Sequence, residues 1–145
     1  MGIHGLLLLV TSLLGAPLES CPVTPAPEAS FVPPSPQPER APYGASWYGT
    51  ERLWTMLPRS GVLGRRNKVF WWSTDWDSRH DHRPELTVTA RRVDGQPVRA
   101  SRATNAHAAD IGHAMLVGLT FPAAGCWEVT GEYKGATLTF VAWVP

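Results

Sequence analysis

Charge, cysteine and long apolar runs are all scarce in this sequence of 145 residues. Charged residues make up 17% of it, below the roughly 25% usual for globular chains, while 43% are hydrophobic, which argues against disorder over most of the length. The formal net charge is only +1, so bulk electrostatics excludes a strongly basic nucleic-acid binder. Two cysteines permit a single intrachain bridge. The one sustained apolar run, Gly5 to Gly15 (GLLLLVTSLLG), is too short to span a bilayer as a mature helix. Enzyme signatures are missing as well: there is no G-x-S-x-G elbow, no H-E-x-x-H, no P-loop and no dinucleotide fingerprint. No spacing gathers acid–base residues together, so the chain is expected to be neither an enzyme nor a cofactor carrier.

What is present begins with an address. The run from Gly5 to Gly15 has the length of a signal-peptide core, and residues 1–20 are read as a signal peptide. At its end Leu18-Glu19-Ser20-Cys21 resembles the bacterial lipobox, matched at Leu18, Ser20 and Cys21, with Glu19 the one departure. The resemblance implies cleavage before Cys21, lipidation of its sulfur and a membrane-anchored lipoprotein of the cell envelope. Soluble export to the periplasm or beyond is the alternative. Residues 21–42 follow as a Pro-rich tether, with 8 prolines between Pro22 and Pro42. Such a stretch favours extended polyproline-like chain at roughly 3 Å per residue, which sets the folded domain at residues 43–145.

That domain contains all seven Trp, and its apolar residues alternate with period 2. Leu86, Val88 and Ala90 share one face of a strand, and Asp94-Gly95 turns the chain. Met115, Val117, Leu119 and Phe121 line the next clear strand, which stops at Pro122. Trp127, Val129 and Tyr133 form one side of CWEVTGEY, Lys134-Gly135 closes a hairpin, and Leu138, Phe140, Ala142 and Val144 point inward on the return. With further strands at Arg52–Leu57 and Lys68–Ser73, and a weaker one at Val98–Ala103, about seven short strands predict an all-β, antiparallel sandwich.

Phe121, Pro122, Gly125, Trp127 and Val129 make an F-P-x-x-G-x-W-x-V turn-and-strand that resembles the end of many bacterial immunoglobulin-like domains. The stretch from Leu86 to Val144 is also similar to uncharacterised secreted bacterial proteins and, more loosely, to small periplasmic copper-handling sandwiches. The resemblance implies an immunoglobulin-like β-sandwich. The dense Met and His motifs of the copper-handling group are absent here, where only Met56 and Met115 lie in the domain.

Four sets of residues are candidates for function. Alternation turns Cys126 away from the core side of Trp127; if Cys21 is lipidated Cys126 is a lone thiol, and if Cys21 stays free a bridge clasps the tether to the domain. In STDWDSRHDHRPE, His80 and His82 would share one face of a strand, with Asp77 completing a mixed N/O metal site and His107 and His113 adding imidazoles if the loops converge. Arg79 and Arg83 offer the competing role, ion pairs with those carboxylates in a solvated loop. Residues 43–145 carry 12 basic and 9 acidic residues, with clusters at Arg52, Arg59, Arg65, Arg66 and Lys68 and at Arg91, Arg92, Arg99 and Arg102. These cations either favour an anionic surface or cover exposed strand faces and edges.

The aromatic set is Trp47, Trp54, Trp72 and Trp76. Adjacent Trp71 and Trp72 must face opposite ways on a strand, so one enters the core and the other forms a platform for a glycan or peptide, or lies beneath a lid. The resulting expectation is a non-catalytic binding or structural module of the cell envelope, with an envelope protein or glycan as partner and no nucleic acid. A periplasmic copper- or zinc-binding protein using His80 and His82 is the alternative.

Overall fold

The computed structural model describes residues 20–26, 31–95, 101–108 and 111–145. The Gly5–Gly15 run lies outside the described residues, as do Arg99 and the first half of the weak strand expected at Val98–Ala103. The described chain is all-β: β1 Ser46–Thr50, β2 Leu53–Leu57, β3 Arg66–Trp72, β4 Thr87–Arg92, β5 Ser101–Arg102, β6 Thr104–Ala108, β7 Gly112–Thr120, β8 Gly125–Tyr133 and β9 Ala136–Val144. The order β1-β2-β3-β7-β6 makes one sheet and β5-β4-β8-β9 the other. Every pairing between these named strands is antiparallel, and an isolated parallel bridge joins Val62 to Trp143.

The core lies between the sheets, as the alternation requires. Val69, Trp71, Met115, Val117 and Leu119 of the first sheet meet Val88, Ala90, Trp127, Val129, Phe140, Ala142 and Val144 of the second. Each fully buried aliphatic or Phe side chain of this kind contributes about 1.5–3 kcal/mol through area removed from water. Strands β8 and β9 form the longest ladder, from Gly125 opposite Val144 to Tyr133 opposite Ala136. Their two-residue turn holds Lys134 at φ 44° and Gly135 at φ 78°. Positive φ at both positions matches the right-handed twist of the flanking strands, and the glycine takes it without a Cβ penalty.

Two strands go beyond the expected seven. β1 (SWYGT) and β6 (TNAHA) lack apolar alternation and are the edges of the first sheet, where pairing to one neighbour suffices to order them. The weak strand survives as the two-residue β5 among the described residues. Residues 74–86, in contrast, form turns rather than a strand.

The Pro-rich stretch is the main correction to the expected organisation. It was placed outside the domain as a spacer, yet Thr24 pairs with the free edge of β9: its N–H donates to Val141 O at 2.9 Å, and its Oγ1 accepts from Val141 N at 2.8 Å. Leu63 N–H donates to Trp143 O and Trp143 N–H to Gly61 O, so another part of the same edge is also covered. Further along, Phe31 and Ala41 pack against Trp47, Trp54 and Trp72, and Pro33 is buried. Proline-rich chain builds no core of its own, but it supplies apolar surface to a sheet face that already carries three indoles. Thr24, Phe31 and Ala41 of the expected tether are therefore packed against the sandwich.

Candidate functional site

The outer face of the first sheet decides what its tryptophans do. Along β3 successive side chains alternate, so Trp71 enters the inter-sheet core and Trp72 stands on the opposite face. There Trp72 meets Trp47 edge-on, with ring centroids 5.1 Å apart, and shares a second apolar cluster with Trp54, Ile111 and Ala114. Residues 31–41 lie over this cluster, held by Trp47 Nε1 donating to Pro38 O at 3.0 Å and by Phe31 against Trp54 at 6.2 Å. Trp47, Trp54 and Trp72 are only 3%, 4% and 2% exposed. They are a covered cluster, so of the two fates open to Trp72 it lies beneath a lid and not on an open platform. The lid is the Pro-rich segment, because these rings expose too much apolar surface to stand in water.

The cover is incomplete. Between Pro34–Gln37 and the sheet a cleft of about 360 Å³ remains, floored by Trp54 and Trp72 and bounded by Ser73, Thr74, Trp76 and Ser78 of the loop after β3 and by Gly112 and His113 of β7. Trp76 is half-buried and fixed by Nε1 donating to Asp81 O at 3.1 Å. Trp72 Nε1 donates to the carbonyl of His113. With its amide turned to suit its neighbours, Gln37 accepts from Trp72 Nε1 and donates to Ile111 O, both at 3.2 Å. The lining thus joins three indoles to hydroxyls and an amide. Trp47 is not part of this lining. Sequence reasoning missed Gln37, Ser73, Thr74 and Ser78, which no motif marks and which only the fold over Trp72 brings together.

The metal candidates separate into two places. His80 and His82 do not share a strand face, since their segment is a loop. His80 Nδ1 contacts Asp77 Oδ2 at 2.7 Å, whereas His82 Nε2 lies 3.2 Å from Arg79 O. Asp77 also takes the Arg79 backbone N–H at 3.0 Å. The hydrogen bond from His80, followed by that N–H, holds the Asp77 carboxyl at about 2, well below the ordinary value of 3.8. This loop is an Asp-centred turn in which Arg79 Nε also lies 3.4 Å from Asp77 Oδ1, the ion-pairing role that competed with the mixed N/O site. His107 and His113 do come together, as a cross-strand pair with ring centroids 4.5 Å apart. Among the described residues no group of three His, Cys, Asp or Glu side chains is placed to hold a metal ion.

Cys21 requires a second correction. Its sulfur is joined to that of Cys126, with Cα atoms 5.4 Å apart. A lipid thioether would need the same sulfur atom, so the bridge and the expected lipid anchor exclude one another. Of the two fates open to Cys126, the clasp between N-terminal segment and domain is the one adopted. Three of the basic residues have fixed partners of different kinds: Arg91 reaches Glu128 across β4 and β8 at 2.9 Å, Arg52 in the turn between β1 and β2 reaches Asp75 at 3.3 Å, and Arg65, just before β3, donates to the carbonyls of Phe121 and Pro122. Among the described residues no helix is long and apolar enough to cross a membrane. The chain matches no protein-family model, and comparison with curated proteins and with solved structures finds no match.

Proposed function

We propose that this protein is a non-catalytic binding module of the cell envelope, an immunoglobulin-like sandwich whose ligand seat is the cleft between Trp54, Trp72 and Trp76. The observation that carries the reading is the lining itself. Indole surface is combined with Ser73, Thr74, Ser78 and Gln37, with no carboxylate, lysine or arginine among the described lining residues. Such a surface suits a neutral ligand with both an apolar face and hydroxyl groups, which is the chemistry of a sugar ring in an envelope glycan.

Two observations support the rest. In strand order, β2, β3, β7 and β6 stand where an immunoglobulin domain has A, B, E and D, while β5, β4, β8 and β9 stand as C′, C, F and G, with β1 added outside A. The Cys21–Cys126 bridge suits an oxidising compartment, as export to the envelope provides.

Titration of the full chain with neutral oligosaccharides, followed by tryptophan fluorescence and calorimetry, tests the assignment. Saturable binding abolished by Ser78→Phe, which fills the cleft, is expected, with the melting temperature of that variant close to wild type. Undiminished binding by Ser78→Phe, or no response to any neutral oligosaccharide, overturns it.

A further inference from the structure

His107 on β6 stands directly opposite His113 on β7 in the antiparallel register. Directly opposed residues project from the same face of a sheet with Cβ atoms about 4.5–5.5 Å apart, close enough for both rings to reach one ion. The two imidazoles lie with centroids 4.5 Å apart and planes inclined at 50°. Both side chains are exposed. Unlike His80 and His82, neither ring has a hydrogen-bond partner among the described residues.

Imidazole nitrogen binds a transition metal at about 2.0–2.1 Å, which places the ring centroid about 3.2 Å from the ion, so rings with centroids 4.5 Å apart need only turn their nitrogens toward one point to share it. We infer that His107 and His113 form a cross-strand chelate for a divalent transition-metal cation, with Cu(II) held most tightly because nitrogen sites favour it among the divalent first-row metals. Water fills the other coordination positions. The site is separate from the His80 and His82 loop and stands on its own observations, independent of the glycan assignment.

Its position supplies a readout. His113 lines the tryptophan cleft, and its carbonyl accepts the Trp72 indole N–H, so a paramagnetic ion on its ring lies within quenching range of the fluorophores. The test adds copper(II) sulfate to the full chain in a non-coordinating buffer and follows calorimetry, tryptophan fluorescence and electron paramagnetic resonance. The expected result is one Cu(II) per chain with two-nitrogen coordination and quenched emission. His107→Ala should weaken binding about 10- to 100-fold, as loss of a first ligand does at least as strongly as loss of its orienting partner. Because His107 is exposed, the far-ultraviolet dichroism of that variant should match wild type. A chain carrying His4→Ala, His80→Ala and His82→Ala together should retain the two-nitrogen signal. Equal Cu(II) affinity in wild type, His107→Ala and His113→Ala, or loss of the signal in the triple variant, overturns the assignment.

Discussion

The indole of Trp71 occupies the space that a side chain at position 131 would take: a Cβ on Gly131 would stand 2.7 Å from Trp71 Cζ3 and 2.8 Å from Cη2. The two residues belong to facing sheets, Trp71 on β3 and Gly131 on β8. Trp71 is fully buried and also approaches Phe140, with ring centroids 6.1 Å apart. The Trp71 indole thus fits in the core because the opposite strand offers no side chain there.

Gly131→Ala should therefore destabilise the fold by about 1–3 kcal/mol, the usual range for overpacking a filled core, although alanine suits a strand better than glycine does. Trp71→Phe on the same background should recover part of that loss, since the smaller ring vacates the contested space and removes a buried indole N–H that has no partner. Urea denaturation of the four chains gives the coupling energy, and strict additivity would show that the two positions do not compete.

Breaking the Cys21–Cys126 bridge should cost about 2–5 kcal/mol, because it closes a loop across a sequence separation of 105. Cys21→Ser, Cys126→Ser and the double variant should melt at the same lowered temperature, since either single change removes the whole constraint. An alkylating reagent should label the unfolded protein only after reduction. Labelling without reductant would disprove the bridge and return Cys21 to the pool of residues available for lipidation.

Asp77 gives a pH-dependent signal of known sign. Its carboxyl titrates at about 2 in the folded chain against 3.8 ordinarily, chiefly through the hydrogen bond from His80. A depressed carboxyl contributes stability above pH 4 that disappears as the pH falls toward 2. In His80→Ala the carboxyl pKa, read by NMR, should rise toward 3.8, and the loop should lose its protection at higher pH than in wild type. An unshifted carboxyl in the variant would place the cause in the Arg79 backbone N–H instead.

Tyr133 titrates in the opposite sense. Its hydroxyl is buried without a hydrogen-bond partner among the described residues, and burial pushes its pKa above the ordinary 10.0 against the pull of the Lys134 ammonium. Stability linked to this group is complete below pH 10 and is lost as the pH climbs through the raised value. Tyr133→Phe should be neutral or stabilising by up to about 1 kcal/mol at pH 7, since it removes an unsatisfied buried hydroxyl. Its alkaline unfolding midpoint should lie above that of wild type; a lower midpoint would show that the hydroxyl has a stabilising partner.

The long strands were legible because burying one face of a strand leaves a period-2 record in the chain. Leu86-Val88-Ala90, Met115-Val117-Leu119 and Trp127-Val129 alternate for that reason, and all eight of these residues are buried. Lys134-Gly135 announced its hairpin through the residue types that accept positive φ. The sequence likewise dictates that Trp71 and Trp72 part company, a consequence of strand geometry alone.

What covers Trp72 was a tertiary decision. A proline-rich segment reads as a spacer wherever it stands, since its composition records only its failure to build a core; whether it packs depends on a sheet face formed by residues far along the chain. The same holds for β1 and β6, ordered by one neighbour each, and for the pairing of Cys21 with Cys126. His80 and His82 show the converse: their spacing suggested a shared strand face, but turns within residues 74–86 sent the rings to separate partners. His107 and His113, six positions apart, meet because antiparallel pairing brings opposite ends of a hairpin into register. Alternation is local and is written in each strand, whereas register, cover and cross-links arise from long-range contacts that no single segment encodes.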